Sequence, residues 1–205
     1  METSTYLFYC RDNPDTRELR QTHREAHWAF MDGYADRMVA RGPTLADDGQ
    51  TPTGSMHAVE LPDEDAARVF AFEEPNYKAG IYGDVMIRRW TNALKRTMWE
   101  FEGDPERNRR FLFLGHGADN AGVTDRRNEL LQAHRDFLAP PEKMRQQILR
   151  GPLWDISGGT WTGSLFLLEA PDRDAATAFF DGEPYTNAGL YVRTELHEWR
   201  FGGRH

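Results

Sequence analysis

Residues 41–90 read RGPTLADDGQTPTGSMHAVELPDEDAARVFAFEEPNYKAGIYGDVMIRRW, and residues 150–199 read RGPLWDISGGTWTGSLFLLEAPDRDAATAFFDGEPYTNAGLYVRTELHEW. Without any gap, 21 of these 50 positions are identical. Self-similarity over this length predicts that the chain contains two copies of one structural unit.

The repeat continues upstream with a small change of spacing. The segment around His27 aligns with the segment around His134 at an offset of 107 residues, against 109 further downstream. We place the two extra residues of the second copy at Pro140-Pro141, where prolines would interrupt a helix. The chain then divides into a first copy (1–92), a polar linker (93–108) and a second copy (109–205).

Both copies predict the same order of elements. This order is a strand (5–10 and 110–115), a long amphipathic helix (16–40 and 123–149) that ends at Gly-Pro, a turn-rich loop (42–53 and 151–162), a strand (54–61 and 163–169), a helix that begins at Pro-Asp (63–73 and 172–181) and a last strand (81–90 and 190–200). The negative charge of an Asp in the first turn of the second helix interacts favourably with the helix dipole.

The middle strand of each copy is apolar on both faces. In 54–61, Met56 and Ala58 alternate with Val59 and Leu61, and 163–169 is equally apolar. A sheet with one face in water would alternate polar and apolar residues more strictly. Helices cover one face, so the second copy is expected to cover the other. We therefore predict an α+β fold in which two tandem units pair face to face as an internal pseudo-dimer.

Charge and composition exclude several classes of protein. The 205 residues include 25 Lys and Arg against 33 Asp and Glu, a net charge of −8 with no basic run, which disfavours binding to nucleic acid or to an anionic membrane. No apolar stretch approaches the length of a membrane span, and the N-terminus lacks a signal-peptide pattern. With Cys10 as its single cysteine, the chain has no internal disulfide. We expect a cytoplasmic protein.

Cofactor and metal motifs are equally scarce. Neither a G-x-G-x-x-G strand-to-helix turn nor a Walker A loop occurs. His23 and His27 stand one helical turn apart, a spacing that suits a pair of metal ligands, but Gln132 and Ala133 precede His134 in the second copy without a matching pair. We expect no cofactor and no metal.

Several short motifs recur in both copies in the same order. In the first copy they are Arg20 and His27 on the first helix, Arg41-Gly42-Pro43, Thr53-Gly54-Ser55, and the Glu-Pro-x-x-x-Ala-Gly-x-Tyr pattern of 74–82. In this combination the chain resembles the YciI-like (YCII-related) domain family over nearly its whole length, as two tandem domains. The resemblance implies a ferredoxin-like fold for each domain and their pairing into an intramolecular dimeric α+β barrel.

The resemblance also implies a reaction. A related member is a dehydrochlorinase of chlorinated hydroxyquinols in which a His and an Asp form the acid/base pair. The His corresponds to His27 and His134, and the Asp position is occupied by Glu74 and Glu183. Glutamate keeps the carboxylate but adds one methylene to its reach. An imidazole oriented by a carboxylate can remove a proton and return it near neutral pH. The alternative is a histidine that only packs and a glutamate that only ends a helix.

Three further residue types in each copy are candidates for substrate binding. The arginine two helical turns before the histidine either binds an anionic substrate or pairs with a carboxylate, the serine after Thr-Gly hydrogen-bonds a ligand or the backbone, and the tyrosine lines a pocket or belongs to the core. The candidates are Arg20, Ser55 and Tyr82 in the first copy and Arg127, Ser164 and Tyr191 in the second.

These features favour a cofactor-independent acid/base enzyme of lyase (dehydrochlorinase) or isomerase type, acting on a small aromatic or polyketide-like substrate. The first copy ranks ahead of the second because it lacks the Pro-Pro break. One alternative is a non-catalytic protein that binds a small ligand in the same cleft. Another, by fold analogy alone, is a cofactor-free oxygenase. The expected partner is a small molecule, and the expected assembly is a monomeric pseudo-dimer or a homodimer of it.

Overall fold

The computed structural model describes residues 3–120 and 122–203 and repeats the same elements in both halves of the chain. The first half contains β1 (Ser4–Asp12), α1 (Arg17–Asp32), β2 (Met38–Leu45), β3 (Pro52–Leu61), α2 (Glu64–Glu73), α3 (Pro75–Lys78) and β4 (Tyr82–Trp90). The second half contains β5 (Arg109–Gly117), α4 (Val123–Glu129), α5 (Leu131–Leu138), α6 (Pro141–Gln146), β6 (Gln147–Trp154), β7 (Trp161–Ala170), α7 (Arg173–Ala178), α8 (Pro184–Asn187) and β8 (Tyr191–Trp199).

The eight strands close into a barrel in the order β1-β3-β2-β8-β5-β7-β6-β4. Four antiparallel strands of each half pair along most of their length. The halves then join through two short seams, β2 with β8 and β4 with β6. The predicted α+β class, with two ferredoxin-like halves paired as a dimeric barrel, is confirmed.

The barrel interior is filled by apolar side chains from both halves. Its buried members include Leu7, Met56, Trp90, Leu112, Leu165 and Trp199. The segment between the halves contributes as well, because Met98 is fully buried in the same cluster. Each half therefore completes the core of the other, as the two-faced apolar strands predict.

Helices cover the outer face of each four-stranded sheet. Met31 of α1 and Phe70 of α2 pack in one cluster with Phe8 of β1, and all three are buried. The Pro-Asp helix starts are confirmed, since the carboxylate of Asp63 accepts the N–H of Ala66 at 2.8 Å. Within the described ranges, no helix combines the length and apolarity needed to span a membrane.

The prediction for the long first helix is wrong at its C-terminal end. In the first half α1 ends at Asp32, and residues 38–45 form a strand instead of the end of a helix and the start of a loop. In the second half the predicted helix 123–149 is divided into α4, α5 and α6, with the break at Pro140 as expected, and β6 follows from Gln147. Each half thus has four strands, one more than predicted.

The Gly42-Pro43 step lies inside β2 and does not end a helix. β2 borders the seam with β8, where the carbonyl of Pro43 accepts the N–H of Arg200 at 3.3 Å. A strand at the border of its sheet tolerates a proline, which lacks an N–H. A Cβ at Gly42 would overlap the carbonyl oxygen of Arg200, so the glycine permits close approach of the two halves.

Candidate active site

His27 and Glu74 lie in direct contact in the first half. The Nδ1 of His27 on α1 is 2.6 Å from Oε1 of Glu74, which stands between α2 and α3. Pro75 occupies the first position of α3, and Oε2 of Glu74 accepts the N–H of Tyr77 at 3.0 Å. With the carboxylate as acceptor, Nδ1 carries the imidazole proton. The Nε2 of neutral His27 is then an acceptor.

Arg20, Ser55 and Tyr82 surround this pair. Arg20 forms an ion pair with Asp12 and donates to the hydroxyl of Ser55 at 3.0 Å. Its guanidinium lies 5.6 Å from the centre of the Tyr82 ring. Burial, and next the charge of Glu74, raise the pKa of the Tyr82 hydroxyl well above its usual value of 10. The three predicted residues thus meet at one place, with Arg20 held by a carboxylate.

A second histidine, His57 on β3, faces the same space, although no sequence motif points to it. Its ring centre is 5.7 Å from that of His27, and the residue is 3% exposed. Burial, followed by the nearby charges of His27, Arg20 and Arg41, holds the pKa of His57 well below 6.5. Its imidazole is therefore neutral at physiological pH. A histidine in an apolar strand gave no local signal, since its relevance depends on its position under α1.

A cavity of about 490 Å³ opens between α1 and the sheet of the first half. His27, Ser55 and His57 line it together with the apolar side chains of Trp28 and Met31. Its size and mixed lining suit a small organic ligand. The imidazole of His27 therefore borders a space in which a substrate can be held.

The second half of the chain supplies one wall of this cavity. Residues 200–203, which follow β8, line it beside Arg41. The N–H of Gly202 donates to the carbonyl of Arg41 at 2.9 Å, which extends the β2–β8 seam along the cavity rim. The site in the first half is therefore built from both halves.

The equivalent pair in the second half is also formed. The Nδ1 of His134 is 2.7 Å from Oε1 of Glu183. Glu183 is fully buried and accepts the backbone N–H groups of Tyr185 and Thr186 at 3.1 and 2.8 Å. Burial acts to raise the pKa of Glu183, but the hydrogen bonds from His134 and the two backbone N–H groups outweigh it, and the net pKa is lowered.

Aromatic side chains fill the space around the second pair. Tyr185 stacks on His134, with ring centres 4.1 Å apart, and takes the place that Asn76 has in the first half. Phe166 stands where the first half has His57, and Trp161 where it has Pro52. Both are buried. Asn76, His57 and Pro52 of the first site are thus replaced in the second by the larger aromatic side chains of Tyr, Phe and Trp.

The remaining predicted residues of the second half lie near this pair without the polar network of the first. Arg127 is buried, contacts Asn128 at 2.9 Å and lies 5.5 Å from the Trp154 ring. Gly117 pairs with Tyr191 in the register that Asp12 and Tyr82 have, so Arg127 lacks the carboxylate that holds Arg20. Ser164 is buried on β7, and burial raises the pKa of Tyr191.

His23 lies near His27 on α1, but the described residues contain no group of three or more His, Cys, Asp or Glu side chains placed to hold a metal ion.

Comparison with known proteins identifies the family to which both halves are related. A family model described as the YCII-related domain matches residues 4–91 and again residues 110–200. Protein YciI of Escherichia coli is 32% identical over 90 residues, covering 40% of this chain and 92% of that protein. An uncharacterized protein of Haemophilus influenzae is 31% identical over 90 residues, with the same coverage of both chains.

The chain is also similar to solved structures. The 5-chloro-2-hydroxyhydroquinone dehydrochlorinase TftG of Burkholderia phenoliruptrix, solved with 2,5-dihydroxybenzoquinone, is 27% identical and covers 45% of this chain and 98% of its own, with a TM-score of 0.41. Chlorite dismutase of Candidatus Nitrospira defluvii, solved with imidazole, is 11% identical over 98% of this chain and 92% of its own, with a TM-score of 0.60. At that identity the likeness is one of fold.

Proposed function

The chain belongs to the YCII-related domain family in both of its halves, and from this premise we propose that it is a cofactor-independent acid/base enzyme. The working site would be the His27–Glu74 pair, and the substrate a small molecule held in the cavity of the first half. The observation that carries the proposal is the 2.6 Å contact of His27 with a buried carboxylate beside an open cavity of about 490 Å³.

The proposed chemistry is proton transfer. The Nε2 of His27 takes a proton from an acidic C–H or O–H of the substrate, and Glu74 stabilises the imidazolium that forms. The electron pair of the broken bond moves onto the substrate and develops an oxyanion. Return of the proton to another atom gives an isomer, whereas departure of a leaving group with its electron pair gives an elimination product.

His57 has a complementary role in this proposal. A neutral imidazole donates one hydrogen bond without losing its proton, and donors aimed at developing negative charge stabilise it most in a water-poor site. The ring of His57 lies close enough to His27, 5.7 Å between centres, for both to contact one small substrate. We assign proton removal to His27 and stabilisation of the oxyanion to His57.

The second half is proposed to support the barrel and the first site. His134 is stacked against Tyr185, and Phe166 replaces the second imidazole. A ring in van der Waals contact with the imidazole leaves no room for a substrate on that face. We therefore assign the working site to the first copy, because the corresponding space in the second copy is filled.

Exchange of substrate hydrogen with solvent tests the proposal directly. A panel of small phenols and 1,3-dicarbonyl compounds is incubated with the protein in D₂O, and NMR follows loss of C–H signals. We expect at least one compound to exchange, and His27→Gln to slow that exchange by about 100-fold or more, the usual contribution of a general base. The matched variant His134→Gln is expected to retain the rate.

The alternative, a protein that binds the same ligand without turnover, predicts a different pattern. Ligands would bind in the cavity, none would exchange faster than in buffer, and His27→Gln would change affinity alone. Exchange that survives in His27→Gln, or that is lost equally in His134→Gln, would contradict the site assigned here.

A further inference from the structure

The charged side chains that line the cavity of the first half are all cationic. They are Arg17, Arg20, Arg24, Arg41 and Arg200, and no Asp or Glu of the described residues belongs to the lining. The chain as a whole carries 33 acidic and 25 basic side chains, so this concentration is local. Three other cavities, of about 520 to 610 Å³, are each lined by both acidic and basic residues.

Carboxylates offset two of these charges and leave others available. Arg20 pairs with Asp12, and Arg41 lies 3.3 Å from Asp32. Within residues 3–120 and 122–203, no carboxylate lies within ion-pair distance of Arg24 or Arg200. A guanidinium with unused N–H donors at a cavity is suited to bind a carboxylate or another planar oxyanion in bidentate fashion.

Contacts at the rim position Arg24 through its side chain and Arg200 through its backbone. The guanidinium of Arg24 lies 5.3 Å from the ring centre of Trp28, one helical turn further along α1. Stacking on an indole orients a guanidinium while its in-plane donors remain available. Arg200 is fixed through its backbone N–H, which donates to Pro43 of β2 at 3.3 Å. One arginine thus comes from the first half and one from the second.

Two of the lining arginines have no counterpart in the second half. At the offset of 107 residues, Thr124 replaces Arg17 and Leu131 replaces Arg24. The half that retains the second imidazole and the open cavity is therefore also the half that carries the additional arginines. The two features coincide, as expected if they serve one ligand.

We propose that this cavity is a binding site for a small organic anion, with Arg24 and Arg200 as the residues that select its charge. The apolar surfaces of Trp28, Met31 and Phe201 in the lining suit a planar hydrocarbon portion. The inference rests on the proposed function in that it concerns the same cavity. Binding is measurable without turnover, so the two can fail separately.

Benzoate and benzamide form a matched pair of probes because they have the same shape and differ in charge. Each is titrated into the full chain labelled with ¹⁵N at pH 7.5, and backbone amide shifts are followed. We expect saturable shifts with benzoate at α1, β2 and residues 200–203, and benzamide to bind at least about tenfold more weakly. Added NaCl is expected to weaken the binding of benzoate but not that of benzamide.

Substitutions then locate the charge that selects the anion. Arg24→Gln and Arg200→Gln are each expected to weaken the binding of benzoate about fivefold and to leave the affinity for benzamide unchanged. Both side chains lie on exposed residues, so the fold is retained. Arg107→Gln, at an exposed arginine of the segment between the halves, is the matched control and is expected to have no effect.

Two results would overturn the proposal. One is equal affinity for benzoate and benzamide, or no saturable shift with benzoate. The other is benzoate affinity that neither arginine substitution changes. Benzoate binding that persists in His27→Gln, together with no hydrogen exchange in any compound, would retain the anion site and reject the enzyme.

Discussion

A single side chain, His57, distinguishes the two sites most sharply at the scale of residues. It lies 5.7 Å from His27 between ring centres, is almost fully buried, and has Phe166 as its counterpart. Although the residue is buried, its ring lines the cavity. A polar side chain that lines a cavity is placed to contact a ligand held there.

The neutral state of His57 predicts a stability effect. Its pKa in the native state is below 6.5, the value expected for the unfolded chain. As pH falls below 6.5, the unfolded chain binds a proton that the native state does not, so the free energy of unfolding decreases, by up to about 1.4 kcal/mol per pH unit. We expect His57→Phe, which the fold accommodates in the second half, to reduce this slope.

Urea unfolding at several pH values between 5 and 8 measures the effect. The wild-type protein and His57→Phe are compared at each pH. A difference in stability between them that stays constant across this range would show that His57 protonates equally in both states, contrary to the expectation.

At the scale of elements, the Glu-Pro step both ends one helix and begins the next. Glu183 accepts the N–H groups of Tyr185 and Thr186 and the hydroxyl of Thr186, and also contacts His134. Glu74 accepts one backbone N–H and contacts His27. In both halves the same carboxylate thus caps a helix and orients an imidazole.

This difference in hydrogen bonding predicts that substitution of the two glutamates lowers the free energy of unfolding by unequal amounts. We expect Glu183→Ala to lower the free energy of unfolding by about 3 kcal/mol and Glu74→Ala by about 2 kcal/mol, because more bonds to a buried carboxylate are lost in the second half. Since the pKa of Glu183 is lowered in the native state, its contribution is present above about pH 4.5 and is lost as pH falls further.

Denaturant unfolding of both variants at pH 7 and pH 4 checks these values. Equal losses in the two halves, or a Glu183→Ala loss that is larger at pH 4 than at pH 7, would contradict the structural reason given. The conservative Glu183→Gln variant separates loss of charge from loss of the helix cap.

How far the sequence determines these elements varies along the chain. The internal repeat, the two-faced strands and the Pro-Asp helix starts predict the α+β barrel, and the recurrence of His27 and Glu74 in both copies identifies the pair that the structure brings together. The sequence does not predict β2, because Gly42-Pro43 is typical of a turn. Its pairing depends on β8, more than 100 residues away. The sequence does not show that the first site is open and the second is filled, because both properties depend on packing between elements.

At the scale of the whole molecule, two short seams close the barrel. Gly42 on β2 and Gly151 on β6 occupy equivalent positions, and a Cβ on either would overlap a carbonyl oxygen of the other half, that of Arg200 or that of Thr91. Close backbone approach at both seams therefore requires glycine. Because the interior core is shared, loosening a seam is expected to destabilise both halves together.

Alanine at these positions tests the seams. We expect Gly42→Ala and Gly151→Ala each to lower the free energy of unfolding by about 2 kcal/mol, with one cooperative transition retained. Gly159→Ala is the control, because the atom nearest to its Cβ is at 3.7 Å, and it is expected to change stability by less than about 0.5 kcal/mol. Two separate thermal transitions in either seam variant would show that the halves are independent.

The tautomer of His27 tests the central claim, that a buried carboxylate prepares this imidazole as a base toward the cavity. Long-range ¹H–¹⁵N spectra of the full chain at about pH 8.5, where imidazoles are neutral, distinguish the two ring nitrogens. We expect the proton of His27 on Nδ1, 2.6 Å from Glu74, and a bare Nε2, with this preference lost in Glu74→Ala. A proton on Nε2 in the wild-type protein would contradict the claim.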